Sequence, residues 1–416
     1  MARIAVIGAG ISGMAAAYFL SRKHEVSLFE REGRLGGHTH THQIQTSRGL
    51  RAIDTGFIVH NERTYPNLMR LFRELKLETF NSDMSFGVSF QRTGFEYSSR
   101  GLTGFFADKR NLFQSRHFNL LSEILRFNRV STEMLNRGSL QDLTLGEYVR
   151  LLRFGENLTS RYLYPMASAV WSTSLAGIQE FPAETLIRFF SNHGMLGINT
   201  HPQWKALRGG SHQYIGPLTV PYRDRIHTRA ALAAVSRTER GVDLKFRNGS
   251  AITFDAAVMA CHAPQALGLL ESPSIKEREI LGALKTSANS VKLHTDSSVL
   301  PRRPRARASW NYHIAERTEA ATVTYHMNRL QSLDTPEDYC VTLNDSGSVS
   351  APKVLRQMTY DHPLYTADAI RAQQRWSEIS NVDRIHYCGA YWFNGFHEDG
   401  LNSALRVARS FGVEWQ

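Results

Sequence analysis

The sequence predicts an α/β protein in which a parallel-sheet domain is interleaved with a second, α+β domain. Three observations predict this fold. A glycine-rich turn joins a short buried strand to a helix near residue 8, and an alternating hairpin pattern follows residue 232. Near residue 386 a strand, a glycine turn and a helix of small residues succeed one another. At 416 residues the chain can form two or three domains.

The composition is that of an ordinary globular protein, with 42% hydrophobic and 21% charged residues. No apolar run is long enough for a transmembrane helix, and three cysteines cannot form a complete disulfide framework, so we expect a cytoplasmic protein. The net charge of +11 favours anionic partners. No nucleic-acid-binding module is recognisable, so nucleic acid is not an expected partner.

The first element is a β-turn-α-β unit that predicts dinucleotide binding in a Rossmann-like domain. Residues 3–7 form a buried strand, residues 14–20 continue as an apolar helix, and residues 25–29 form a second strand that ends at Glu30. Gly8 permits the tight turn, Gly10 lets a pyrophosphate approach the backbone, and Gly13 lets the helix lie close to the strand. The helix N-terminus around Ser12 offers N–H groups to the phosphates. Glu30 is spaced to accept hydrogen bonds from ribose hydroxyls.

The segment after Glu30 resembles the E-x-x-x-R-x-G-G signature of the flavin amine oxidase superfamily, which implies FAD and a domain of the glutathione reductase/amine oxidase type. The resemblance places one group of residues along the FAD diphosphate, ribityl chain and flavin: Arg31, Arg34, Gly36, Gly37, His38, Thr55, Gly56 and Phe57. His38 stands where the superfamily usually has a second arginine. The cysteine motif through which some members of the superfamily bind FAD covalently is not apparent, so the FAD is expected to be non-covalent.

The last segment is expected to complete the FAD site. A strand ends in the turn at Gly389, and a helix is predicted over residues 400–408. In the superfamily such a helix points its N-terminus at the flavin, where its dipole stabilises negative charge on the reduced ring. This resemblance assigns cofactor contacts to Asp399, Gly400, Leu401 and Ser403. It also places Leu232, at the start of the hairpin unit, near the adenine.

These three segments predict a discontinuous FAD-binding domain made of residues 1–75, 205–265 and 383–416. Residues 76–204 and 266–382 are then expected to form the α+β substrate domain.

Other sequence segments, such as Trp310-Asn311-Tyr312 and the run from Gly395 to Gly400, are more specific to one family than the FAD motifs are. Together they resemble bacterial FAD-binding oxidoreductases associated with cyclopropane fatty-acid synthase-like methyltransferases, and the N-terminal half of plant cyclopropane synthases. The resemblance implies oxidation or desaturation of a modified fatty acyl chain, methyl-branched or cyclopropane-related and carried on a phospholipid, by hydride transfer to flavin N5. It also implies a lipid methyltransferase as a partner. The alternative from another functional class is a non-catalytic protein that FAD stabilises and that presents lipid to this methyltransferase.

Aromatic residues and histidines supply the candidates for the substrate pocket. His193, Tyr325 and His397 are the candidate catalytic residues, although a structural, hydrogen-bonded role is favoured for His193. The other candidates for the pocket wall are Trp171, Asn192, His326, Tyr391 and Trp392. His38, His40 and His42 alternate along an expected strand, but no carboxylate or cysteine follows at a usual spacing, so no metal site is predicted.

The main rival function is oxidation of a small amine. Many amine oxidases of the superfamily carry a lysine on a strand, linked through water to flavin N5. Residues 287–294 resemble this strand, with Ser290 at the usual lysine position and Lys292 two residues later on the same face.

Residues 102–129 suggest contact with an anionic membrane. Leucines and phenylalanines at helical spacing alternate there with basic residues, which suits an interfacial helix. The alternative is an amphipathic helix packed on the core. A second basic cluster, Arg302, Arg303, Arg305 and Arg307, lies in a proline-broken loop.

Overall fold

The computed structural model describes residues 1–91, 93–140, 142–171, 175–197, 202–314 and 321–415. Within these ranges the strands are β1 (Arg3–Ile7), β2 (Glu25–Phe29), β3 (Thr41–Thr46), β4 (Gly49–Asp54), β5 (Val59–Asn61), β6 (Thr79–Asn81), β7 (Phe86–Phe90), β8 (Phe95–Ser98), β9 (Trp204–Leu207), β10 (Ile226–His227), β11 (Leu232–Thr238), β12 (Gly241–Phe246), β13 (Ala251–Phe254), β14 (Ala256–Met259), β15 (Thr286–His294), β16 (Trp310–Ile314), β17 (Ala321–His326), β18 (Cys340–Leu343), β19 (Val354–Pro363) and β20 (Ile385–Tyr387).

The α-helices in the same ranges are α1 (Ile11–Leu20), α2 (Pro66–Glu74), α3 (Gly101–Phe105), α4 (Ser115–Arg137), α5 (Leu145–Leu151), α6 (Glu156–Leu158), α7 (Tyr164–Trp171), α8 (Leu175–Gln179), α9 (Ala183–Asn192), α10 (Ile215–Thr219), α11 (Ala263–Leu269), α12 (Ile275–Ala283), α13 (Met327–Leu330), α14 (Ala367–Gln374) and α15 (His397–Ser410).

A parallel sheet in the order β10-β2-β1-β14-β20 forms one layer. Its strands come from three stretches that are remote in sequence. Because β1 and β14 are nearly continuous apolar runs buried on both faces, they suit the centre of a parallel sheet. The predicted hairpin is confirmed as the antiparallel meander β11-β12-β13, which covers one face of this sheet together with α11 and α12.

A seven-stranded sheet in the order β19-β15-β18-β17-β16-β7-β8 forms the other large layer. All its neighbours are antiparallel except β7 and β16. Helices from α4 to α9 build a separate apolar core against β7 and β8. Phe396, just before α15, packs against this helical core and against the core around α1, so it marks the junction of the two layers.

The helical spacing over residues 102–129 does not correspond to one continuous helix. The segment contains α3, a 3-10 turn at Lys109–Phe113 and the start of α4. The buried face of α4, which includes Leu120 and Phe127, packs on the helical core as the alternative interpretation held. Among the described residues, none of the helices combines the length and apolar character needed to span a bilayer.

Candidate functional site

The glycine-rich turn between β1 and α1 has the geometry expected from the sequence. Gly8 adopts a φ of 105°, a left-handed conformation that favours glycine. A Cβ on Gly13 would lie 1.8 Å from the Gly8 carbonyl oxygen, so only glycine lets α1 lie this close to β1. Ser12, on the first turn of the helix, is buried.

The space in front of Gly10 is open, whereas Gly8 and Gly13 are closely packed. A Cβ on Gly10 would meet no protein atom within 4 Å, and α1 begins there without a side-chain cap. Beside it, the Glu30 carboxylate accepts the N–H of Ala9 and the N–H of Glu32, each at 2.8 Å. An uncapped helix N-terminus next to an oriented carboxylate fits a diphosphate and a ribose.

The segment from Arg34 to Gly37 lies against this turn. The Gly36 N–H donates to the Ala9 carbonyl at 2.8 Å, and a Cβ on Gly37 would lie 3.1 Å from the Gly10 Cα. Arg34 is half-buried and donates to the Gly37 carbonyl at 2.8 Å. Arg31, which the sequence assigned to the cofactor, lies beside Glu32, with its side chain 74% exposed.

Residues 55–57 pair with the backbone of residues 38–40. The N–H of Phe57 donates to the His38 carbonyl at 2.9 Å, and a Cβ on Gly56 would lie 1.9 Å from the same oxygen. Thr55 binds the Tyr360 hydroxyl at 2.8 Å. The segment is thereby fixed beside the Gly10 turn, as the cofactor prediction requires.

A group of histidines lies beside Gly37. The ring of His38 is 5.4 Å from that of His362 and 5.9 Å from that of His262. Burial, followed by the neighbouring histidines and Arg34, lowers the pKa of His38 well below its usual value, so the ring is neutral. The sequence reasoning missed His262 and His362. His262 lies just beyond the end of β14, and His362 lies at the end of β19. This position at a strand end was the sequence signal from which they could have been predicted.

The expected strand through His38, His40 and His42 begins only at Thr41. His40 and His42 still share a face, with ring centroids 4.1 Å apart. In the described part of the chain, no three His, Cys, Asp or Glu side chains are placed so that they could hold a metal ion.

Helix α15 begins at His397, three residues before the predicted start, and its first turn packs on α1. A Cβ on Gly400 would lie 2.7 Å from Ile11 Cγ2, and Leu401 is fully buried. The Ser403 hydroxyl accepts the Gly389 N–H at 3.0 Å, which ties the helix to the turn after β20. The N-termini of α1 and α15 therefore converge beside the same open space.

Two carboxylates at the start of α15 act as caps. Asp399 accepts the Phe396 N–H at 2.9 Å, and burial, reinforced by Glu398, raises the pKa of Asp399 to about 7. Glu398 accepts the backbone N–H groups of Asn67 and Leu68 at 3.0 and 2.8 Å, and so caps α2 from 330 residues away. The sequence reasoning missed this capping of α2 by Glu398.

His397, a candidate catalytic residue, is fixed by its neighbours. Its ring stacks on Phe57 with centroids 3.7 Å apart, and its Nε2 lies 2.9 Å from the Thr39 hydroxyl. The Tyr214 hydroxyl lies 2.6 Å from that of Thr39. Because burial lowers the pKa of His397 to about 3, the imidazole is neutral at physiological pH.

His193 belongs to an aromatic cluster near the start of α15. We call this the aromatic cluster, and its members are Trp171, Phe181, Phe189, His193 and Phe396. Its ring lies 3.8 Å from Phe189 and 6.1 Å from Phe396. Its Nδ1–H donates to the Phe189 carbonyl at 2.8 Å, and burial lowers its pKa to about 4. These contacts suit the structural role that the sequence left open.

The remaining pocket candidates separate into different cores. Trp171 lies 4.8 Å from Phe189 and belongs to the aromatic cluster, and Asn192 ends α9 beside it. Tyr325 packs edge-on against Trp310, and His326 binds Asp338 at 2.9 Å. Tyr391 and Trp392 are buried with the meander on the far face of the parallel sheet. Leu232 also packs in this meander core.

Strand β15 presents asparagine to the histidine group. The Asn289 amide donates to His362 Nδ1 at 3.1 Å. Ser290, placed by sequence at the lysine position, and Lys292 share the opposite face. Lys292 forms an ion pair with Asp345 at 2.7 Å. Asn289 and Lys292 therefore lie on opposite faces of β15.

A separate cavity of about 560 Å³ opens on the other side of the β3-β4 hairpin, where Arg51, Arg208 and Asp334 contribute to its lining. It is distinct from the space in front of Gly10.

Solved structures share this fold over nearly the whole chain. A putrescine oxidase bound to putrescine is 13% identical, with a TM-score of 0.69, and the match covers 99% of each chain. A putative protoporphyrinogen oxidase from Exiguobacterium sp. 255-15 is 17% identical, with a TM-score of 0.69 and coverage of 100% of this chain and 99% of the other. A CLA-producing fatty acid isomerase from P. acnes is 13% identical, with a TM-score of 0.70 and coverage of 99% and 98%. These similarities establish the fold.

A family model described as flavin-containing amine oxidoreductase matches residues 11–329, which is most of the chain. The match includes α1, the Gly36-Gly37 segment and the meander. The predicted FAD cofactor is thereby confirmed, and the open, uncapped turn at Gly10 with its oriented Glu30 fits it. The chain belongs to the flavin-containing amine oxidoreductase family and is a FAD-dependent oxidoreductase.

Proposed function

We propose that this protein oxidises or desaturates a modified fatty acyl chain, methyl-branched or cyclopropane-related, with FAD as the electron acceptor. The observation that carries the proposal is the register of β15. Asn289 faces the histidine group, and Lys292 is committed to Asp345 on the other face. The lysine expected of the amine-oxidising members is therefore displaced from the site.

The aromatic cluster supports an apolar substrate. Phe189 stacks on Phe396 at 5.1 Å, and Trp171 lies 4.6 Å from Phe181. Two carboxylates at the start of α15, Glu398 and Asp399, already accept backbone N–H groups. Such a wall favours hydrocarbon over a substrate ammonium group, which would need a carboxylate partner.

Bound FAD would supply the two-electron acceptor for a hydride from a substrate C–H bond, and the proton lost from the adjacent carbon would pass to solvent. The chain's own residues would bind and orient the cofactor: Gly10 would admit the diphosphate, Glu30 would accept the ribose hydroxyls, and the uncapped α1 N-terminus would stabilise the negative charge of the diphosphate. The neutral His397, bonded to Thr39, keeps a fixed position against Phe57. The aromatic cluster excludes water from the reacting carbon.

The comparisons leave two substrate classes to distinguish. The fatty acid isomerase supports a lipid, whereas the putrescine oxidase and a cyclohexylamine oxidase of 14% identity support an amine. Anaerobic mixing of the holoprotein with each class, followed by visible flavin absorbance, separates them. We expect micelle-dispersed methyl-branched unsaturated phospholipids to bleach the flavin, and polyamines and aromatic amines to leave it oxidised.

Rapid bleaching by an amine alone would contradict the proposal. Flavin that no substrate reduces, in a protein that binds a lipid methyltransferase tightly, would instead favour a non-catalytic partner of that enzyme.

Replacing Lys292 with methionine tests the same point from the protein side. We expect the rate of flavin reduction to stay unchanged, because Lys292 lies on the far face of β15. We expect the free energy of unfolding to fall by about 2 kcal/mol, because the buried Asp345 loses a charged hydrogen-bond partner. Stopped-flow reduction and thermal unfolding measure the two effects. Loss of flavin reduction with unchanged stability would return Lys292 to the site.

A further inference from the structure

Four large apolar side chains between residues 102 and 118 are exposed in the helical layer. Phe113 is 91% exposed, Leu102 69%, Phe118 49% and Leu112 48%. We call these four residues the apolar patch. Exposed aromatic and aliphatic side chains gathered in one place mark an interaction surface.

Two contacts support the residues of the apolar patch from below. Phe106, hydrogen-bonded through its N–H to the Leu102 carbonyl, places its ring 5.4 Å from that of Phe118. Beneath them, the buried His117 binds the Phe105 carbonyl at 2.8 Å and so joins α4 to α3. Leu112 and Phe113 end the 3-10 turn immediately before α4.

Basic residues surround the patch from two parts of the chain. Residues 109–122 contain Lys109, Arg110 and Arg116 and no acidic residue. The Asp108 carboxylate binds both Arg110 and Arg303, at 2.8 and 2.7 Å. That contact brings the loop at residues 301–307, with its exposed Arg302 and Arg305, beside the 3-10 turn. The two basic clusters recognised separately in the sequence therefore meet on one face.

We propose that this face docks on the surface of an anionic phospholipid bilayer, with the apolar patch inserted among the acyl chains and the basic residues at the headgroups. Apolar side chains surrounded by cations match the two layers of such a surface. The choice of a bilayer also rests on the proposed acyl substrate.

The helix that carries Phe118 also leads toward the site. Phe127 on α4 lies 6.5 Å from Phe190 on α9, and α9 ends beside His193 and Phe396. The docked face and the aromatic cluster thus belong to one helical unit.

Sedimentation of the holoprotein with vesicles tests the proposal without any turnover. We expect the protein to pellet with vesicles of phosphatidylglycerol and phosphatidylcholine, and to stay in solution with phosphatidylcholine alone. The variant Phe113→Ser should lower the partition coefficient about tenfold. The matched control Ile275→Ser, which changes a side chain 70% exposed on α12 at the meander face, should leave it unchanged. Unaltered flavin absorbance and melting temperature show that both variants are folded.

Failure of the wild type to pellet with anionic vesicles would overturn the proposal, and so would equal losses in both variants. A concentration-dependent dimer that Phe113→Ser abolishes would overturn it in favour of a second copy of the chain. Because binding is read without substrate, a protein that docks but leaves acyl lipids unoxidised contradicts only the proposed function. A protein that oxidises micellar lipid but never pellets contradicts only the docking.

Discussion

Replacing Gly13 with alanine is expected to yield a protein that retains almost no FAD and unfolds far more easily than the wild type. The new Cβ would lie 1.8 Å from the Gly8 carbonyl oxygen, so α1 must move away from β1. Such overpacking costs roughly 3 kcal/mol or more. The displaced helix would also withdraw its N-terminal N–H groups from the diphosphate. Flavin content after purification and thermal unfolding measure both losses.

Gly10→Ala separates cofactor binding from folding. Its Cβ would meet no protein atom within 4 Å, and its φ of −74° suits any residue. We expect a folded apoprotein whose FAD dissociation constant rises about tenfold or more, because the methyl group occupies the space that the diphosphate needs. Titration of the apoprotein with FAD, followed by flavin fluorescence, gives this constant.

Gly268→Ala is the control for both variants. It lies in α11, where a Cβ also meets nothing within 4 Å, and alanine is the better helix former. We expect wild-type FAD affinity and equal or slightly higher stability. If Gly10→Ala binds FAD as tightly as this control does, the placement of the diphosphate at Gly10 is wrong.

Replacing Asp54 with alanine is expected to cost about 3 kcal/mol of folding free energy, because four donors lose a buried acceptor. The carboxylate accepts the Ser211 N–H at 3.0 Å, the Gln331 amide at 2.9 Å, and the hydroxyls of Ser211 and Thr41. It thereby joins the Thr55–Phe57 segment to two other parts of the chain. Chemical denaturation measures the loss. Asp334→Ala, a side chain 76% exposed in an ion pair, should leave stability unchanged.

Asp54 also predicts a dependence of stability on pH. Burial raises its pKa from 3.8 to about 6, so the folded state binds a proton more tightly than the unfolded state. The stability from this protonation is complete below pH 3.8 and is lost as pH rises through about 6. We therefore expect the wild type to gain stability relative to Asp54→Asn as pH falls from neutral toward that range. A parallel pH profile for the two proteins would contradict the assignment.

Much of the FAD side of the site could be predicted from sequence because each part is local. A turn that requires Gly8 and Gly13, and a carboxylate at the end of β2, follow from spacing within one β-α-β unit. The start of the last helix could be predicted to within three residues for the same reason, since helix starts have local signals.

The substrate side depends on contacts between remote residues, and sequence reasoning failed there in identifiable ways. The face that each side chain of β15 occupies depends on its pairing with β18 and β19, so the contact of Asn289 with His362 could not be predicted from sequence. The group formed by His38, His262 and His362 has no local pattern, because its members come from three segments. Residues 102–129 show helical spacing throughout, but the 3-10 turn at Lys109–Phe113 divides the segment.

The capping of α2 by Glu398 has a consequence for the order of events during synthesis. The N–H groups of Asn67 and Leu68 emerge from the ribosome 330 residues before the carboxylate that satisfies them. Strand β20, which completes the edge of the parallel sheet beside β14, emerges just as late. The nascent chain must therefore wait, with its first helices incompletely packed and its prosthetic group unbound, until translation has passed residue 400.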